Sequence, residues 1–160
     1  MTCLFIDTST KFVTLSIIKD NKQCYFFHEK VFEDLSVKIL PLIADALKKC
    51  NLKACDINKI YAVTGPGSFT GIRIGLTIFK VMAWALNIDI IPISSLELMA
   101  STKTDKDYII PCIDARRGNC YIAIYNENLD VIVSDRFTNF QSFINNIPVD
   151  KTFQIVTYDD

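Results

Sequence analysis

Histidine occurs once in this 160-residue chain, at His28, and no two of its six cysteines form a C-x-x-C pair. Zinc sites are built from clustered histidines and cysteines, so no metal is expected. His28 lies in the strand-like stretch CYFFHEKVF, where a structural role is favoured over ligation. A Ser/His protease would have only this imidazole as its base, and Ser68 or Thr70 at a helix start is explained more simply as an N-cap. No run of like charge exceeds a dipeptide such as Lys48-Lys49 or Arg116-Arg117, and 17 Lys plus Arg oppose 18 Asp plus Glu. That balance excludes a protein that grips nucleic acid unaided, so any RNA role needs a basic partner. The most apolar stretch, 72–93, is interrupted by Arg73, Lys80, Asn87, Asp89 and Pro92, which argues against a membrane-spanning helix. The opening MTCLFIDTST lacks the pattern of a secretory leader. With Cys3, Cys24, Cys112 and Cys120 in apolar runs, it predicts reduced, buried thiols in a cytoplasmic protein.

What is present is a chain half hydrophobic, long enough to bury roughly 70% of its unfolded surface. TCLFID, FVTLSII and QCYFFHEKVF, separated by the polar turns TST and KDNK, predict an antiparallel three-strand meander. Apolar residues at 39, 40, 43, 46, 47 and 50 predict an amphipathic helix over 37–50, with Pro41 near its start. KIYAVT is a strand, a helix follows to Leu86 with Asn87 as its left-handed stop, and IDIIPI is another strand. SSLE opens a short helix as a capping box. After the polar segment 102–107 the order returns: YIIPCID, CYIAIYN and DVIVSD as strands, TNFQ as a second capping box, and FQIVTY as a last strand. The expected fold is α/β, a duplicated β-β-β-α-β-α unit with mixed sheets. Its halves are 1–103 and 104–160, the second one short.

TGPGSFTGIRIGL, residues 64–76, places four glycines and a proline at the start of a strong helix. A P-loop reading fails, since Thr70 stands where its second glycine belongs and no lysine follows before Lys80. The dinucleotide pattern fails as well, because Gly65, Gly67 and Gly71 are spaced G-x-G-x-x-x-G. Gly67, Gly71 and Gly75 instead recur every four residues, with Ala83 in register, leaving one helix face almost without side chains. Each interior glycine costs about 1 kcal/mol against alanine. Close approach of another segment offsets that loss, either inside the domain or across an interface between chains.

GPGSFTGIRIGL resembles the signature of the TsaB family, also called YeaZ, whose relatives are the glycoprotease-like TsaD proteins. LFIDTST, ILPLI, IPISSLELMA and IDARRGNCYIAIY resemble the same family in the same order, so that the match spans about 3–125. The resemblance implies an ASKHA (actin-like ATPase) fold. It also implies a non-catalytic scaffold that helps TsaD, with the ATPase TsaE, place threonylcarbamoyl on N6 of the adenosine beside the tRNA anticodon. Chemistry and metal would belong to TsaD, ATP and a metal ion would enter only in the partner complex, and the chain would pair through N-domain helices with TsaD or with itself. On that reading Gly67, Ser68, Phe69, Thr70, Gly71, Arg73 and Gly75 are the expected partner interface.

Three departures from the family pattern stand out. Leu35, Ser36 and Val37 replace an HSE-like triplet, the paired histidines of TsaD relatives are missing, and the second half reads as reduced. Asp7, Thr8, Ser9 and Thr10 are candidates for a nucleotide contact, because the first hairpin of ASKHA proteins faces the phosphates. Asp7 would equally cap the turn that follows it. That leaves a residual ATPase as the alternative function. Asp114, Arg116 and Arg117 form either a solvated turn or a contact to a partner carboxylate or a tRNA phosphate. Arg73 carries positive charge into the positive end of a helix dipole, which calls for a nearby anion.

Overall fold

The computed structural model describes residues 1–30, 34–147 and 151–158. These form two compact units, Met1–Ile93 and Ser94–Asp160.

In the first unit, strands β1 (Thr2–Asp7), β2 (Phe12–Lys19) and β3 (Lys22–Lys30) make the expected meander; its extension over Val31 and Phe32 lies outside the described residues. β4 (Lys59–Gly65) pairs parallel to β1, and β5 (Asp89–Ser94) completes a mixed sheet of order β3-β2-β1-β4-β5. The register sets Leu4 opposite Ile17 and Ile6 opposite Leu15, so alternate apolar residues line one face. That face is covered by α1 (Leu35–Lys49) and α2 (Phe69–Leu86), which touch each other. Helix α1 buries Ile39, Ile43, Ala46 and Leu47, spaced to share one side, and Pro41 falls inside it rather than at its start. Each fully buried Leu or Ile contributes about 2 kcal/mol. Helix α2 buries Gly71, Gly75, Phe79 and Ala83 and ends at Asn87, which is left-handed at φ 53°.

The second unit repeats this plan. β6 (Tyr108–Asp114), β7 (Asn119–Asn126) and β8 (Val131–Asn139) form an antiparallel meander, and β9 (Phe153–Thr157) pairs parallel to β6, giving the order β8-β7-β6-β9. Helix α3 (Ser95–Ala100) packs Leu96, Met99 and Ala100 on Ile109, Ala123 and Tyr125. It therefore belongs with the second sheet, and the division falls before Ser94 rather than in the polar segment 102–107. Helix α4 (Phe140–Ile144) covers the other face through Phe140, Phe143 and Ile144. Its cap is Asn139, whose side chain accepts from Ser142 N at 3.1 Å, not the expected Thr138, which pairs with Cys120 in the β7–β8 ladder. Cys3, Cys112 and Cys120 are buried as expected, whereas Cys24 is exposed on β3, an edge strand.

Candidate functional site

The glycine-rich start of α2 meets the turn that follows β1. Thr8 Oγ1 donates to the carbonyl of Gly71 at 2.9 Å, and Ser68 N donates to the carbonyl of Ser9 at 2.6 Å. Ser68 caps the helix, its Oγ accepting from Gly71 N at 3.2 Å. A Cβ on Gly67 would collide with the backbone of Ser9, one on Gly71 with the carbonyl oxygen of Thr8, and one on Gly75 with Thr8 Oγ1. Gly71 and Gly75 are thus buried inside the chain's own domain. Of the three glycines expected at an interface, Gly71 and Gly75 are buried against the carbonyl and hydroxyl of Thr8, whereas Gly67 is exposed and lies beside the backbone of Ser9. Close approach here is between a helix and a strand-end turn, which the four-residue spacing alone does not distinguish from helix against helix.

Asp7 is buried, and its Oδ1 accepts from Ser9 N at 2.7 Å. Burial raises its pKa above the usual 3.8, opposed by its hydrogen bonds to Ser9. Thr10 closes the turn, its Oγ1 accepting from Phe12 N at 3.0 Å. These polar groups are engaged with one another and with α2, so the turn braces the helix. Among the described residues no group of three or more His, Cys, Asp or Glu is placed to hold a metal. His28 is stacked on Phe12, ring centroids 4.7 Å apart, with Nδ1 2.8 Å from Thr14 Oγ1.

Because its glycines face inward, α2 turns a different set of side chains to solvent. Phe69 is 72% exposed, Trp84 84%, and Val81, Arg73, Thr77 and Lys80 are exposed between them. Val37 and Leu40 of the neighbouring α1 are exposed too. A groove of about 390 Å³ runs between the helices, lined by Ser36, Phe69, Thr70, Arg73, Ile74 and Ile78 among others. By length and composition α2, with a mean hydropathy of 1.4, would suffice to cross a membrane, yet only 22% of it is buried in this unit. Of the seven expected interface residues, Phe69, Thr70 and Arg73 lie on this outward face. Trp84, Val81, Val37 and Leu40 were not among the expected interface residues, although Phe69, Arg73, Thr77, Lys80 and Trp84 recur at three- and four-residue steps that trace one helix face.

In the second unit Asp114 Oδ1 accepts from Arg116 N at 2.8 Å, capping the turn between β6 and β7. Arg116, Arg117 and Gly118 are all left-handed, at φ 72°, 57° and 75°. Asn139 Nδ2 and Phe140 N both donate to the Gly118 carbonyl, fixing the turn with its two exposed arginines to the start of α4.

Residues 26–156 match the family model described as TsaD: tRNA N6-adenosine threonylcarbamoyltransferase. The tRNA threonylcarbamoyladenosine biosynthesis protein TsaB of Buchnera aphidicola subsp. Schizaphis graminum is 31% identical over 147 residues, covering 90% of this chain and 70% of that protein. The chain belongs to the TsaB family. The TsaB of Bacillus subtilis is 36% identical over 140 residues, which are 85% of this chain and 61% of the Bacillus protein. Among solved structures, YeaZ from Pseudomonas aeruginosa superposes with a TM-score of 0.80 at 18% identity, covering 99% of this chain and 84% of that one. The (R)-2-hydroxyglutaryl-CoA dehydratase component A of Acidaminococcus fermentans superposes with a TM-score of 0.54 at 14% identity, covering 88% and 48%. These likenesses show the fold, which is the duplicated actin-like one that the resemblance implies.

Proposed function

We propose that this TsaB-family chain is a non-catalytic pairing subunit for N6-threonylcarbamoyladenosine formation beside the anticodon of tRNA, acting by binding a TsaD enzyme. The relatives' names supply the pathway. The observation that supports the pairing role is the outward face of α1 and α2: a helix apolar on both sides, of which only the glycine side is covered. A water-facing stripe holding Phe69, Val81 and Trp84 is what an interface core needs. The first unit would then carry the partner contact, with the chain pairing with itself when alone. TsaE, tRNA, ATP and a metal ion would join only in the complex, in the cytoplasm. Arg116 and Arg117 are the candidates of the second unit for a partner or tRNA contact.

Light scattering after size exclusion, on the chain alone and mixed with TsaD from the same organism, tests the reading. A one-to-one complex is the expected result; a chain that ignores TsaD overturns it. The purified chain should also release no phosphate from ATP above background, and steady turnover without TsaD and TsaE would show it to be an enzyme.

A further inference from the structure

We infer that Cys24 and Cys50 form a redox-responsive dithiol, a modification site that a hydroperoxide converts into an intrachain disulfide tying the edge strand β3 to the end of α1.

The two cysteines are brought together by a break in the β2–β3 ladder. Tyr25 pairs with Ile17 and Gln23 with Ile18, which leaves Cys24 as the extra residue of a bulge. Strict alternation would set Cys24 on the side of the sheet away from Tyr25. A bulge re-aims its extra residue, and here the Cys24 thiol reaches hydrogen-bond contact with that of Cys50, the residue that caps the C-terminal end of α1. Neighbouring side chains hold the two elements together at this point: Lys49 Nζ lies 5.5 Å from the ring centroid of Tyr25 and is itself paired with Asp45 at 2.8 Å. Tyr25 and Cys50 pack on the same apolar core.

A second thiol pair in the chain shows what sets this one apart. Cys112 and Cys120 are also in hydrogen-bond contact, yet both are buried, and burial pushes the Cys112 thiol up to about 12. An oxidant neither reaches them nor finds a thiolate. Cys24 is exposed and Cys50 half-buried, with Lys19 favouring the Cys50 thiolate against the effect of its burial. Exposure makes Cys24 the thiol that meets the oxidant and Cys50 the one that resolves it.

In the first step the Cys24 thiolate attacks one oxygen of hydrogen peroxide. The O–O bond breaks, the other oxygen leaves as hydroxide and is protonated to water, and Cys24 becomes a sulfenic acid. The Cys50 thiol then gives its proton to solvent and attacks the Cys24 sulfur. An S–S bond forms, the S–O bond breaks, and the departing hydroxide takes up a proton as a second water. The thiols lose two electrons and the peroxide gains them. A small thiol reverses the bond by exchange, as a transient disulfide in a reducing compartment requires.

The test treats the reduced chain with hydrogen peroxide, blocks remaining thiols with iodoacetamide and maps the peptides without reduction. Expected is a Cys24–Cys50 cross-link that dithiothreitol cleaves, together with a raised urea midpoint, because the bond closes the loop between residues 24 and 50 in the unfolded chain. Cys24→Ser, a change at an exposed position, should keep the native far-UV spectrum and show neither cross-link nor midpoint shift. Cys50→Ser should leave a Cys24 sulfenic acid that dimedone captures; no adduct would overturn the order of attack. A native chain whose Cys24 and Cys50 stay open to alkylation, or in which Cys24 joins Cys55 or a second copy, overturns the inference. So does a Cys112–Cys120 bond that forms first.

Discussion

Thr8 and Gly71 are joined in both directions: the Thr8 hydroxyl donates to the Gly71 carbonyl at 2.9 Å, and the Thr8 carbonyl fills the space where a Gly71 side chain would stand. One contact thus explains why the helix accepts glycine in its first turns, and it fixes which side of α2 points inward.

Gly71→Ala should destabilise the chain by about 1–3 kcal/mol, because the new methyl meets a backbone carbonyl that has no rotamer to retreat into. A lowered urea midpoint at unchanged slope checks this; an unchanged midpoint would mean the turn after β1 is not packed on α2 as described.

Gly75 faces the Thr8 hydroxyl instead of backbone. Gly75→Ala should therefore be destabilising in the native chain and less so in a Thr8→Ala background, a coupling that a double-mutant cycle in urea resolves. Additive losses would place the two residues apart.

Trp84 is the sole tryptophan and is 84% exposed. Trp84→Ala should change stability by no more than about 0.5 kcal/mol while weakening partner binding. The native indole offers its own readout: its emission should shift to the blue when a partner covers α2. A complex that forms with no shift would put the contact on another face.

Asp7 gives a pH signature. Its pKa is raised above 3.8, chiefly by burial, so the folded state favours the protonated carboxyl. A raised acid contributes stability that is complete below the unfolded pKa and is lost as pH rises through the folded one. Relative to the native chain, Asp7→Asn should thus gain stability as pH rises from below 3.8 into the range above it. A difference curve that is flat, or slopes the other way, would show Asp7 held as a stabilised anion.

The thiols should label in order of exposure. Cys24 and Cys55 are exposed, whereas burial pushes the Cys112 thiol up to about 12 and raises Cys120 as well. Iodoacetamide at neutral pH should modify Cys24 and Cys55 first, with Cys3, Cys112 and Cys120 reacting only after urea, as peptide mass spectrometry will show. Early labelling of Cys112 would mean that the second sheet opens readily.

Much of the fold is written in local pattern. Strand alternation, the helix spacing of Ile39, Ile43, Ala46 and Leu47, the stop at Asn87 and the cap at Ser94 all act within a few residues, so they are legible without tertiary structure. The echo of β1-β2-β3-α1-β4 in β6-β7-β8-α4-β9 follows from the order of those signals, and both sheets arrange their strands alike. The candidate site was only half legible. Sequence determined that α2 carries a stripe of small residues and, across from it, Phe69, Arg73 and Trp84. It did not determine which stripe faces inward, since a glycine face fits a strand-end turn as well as another helix. That was decided by the long-range contacts of Thr8 and Ser9 with Gly67, Gly71 and Gly75: backbone occupies the glycine side, and the aromatic side is left to solvent.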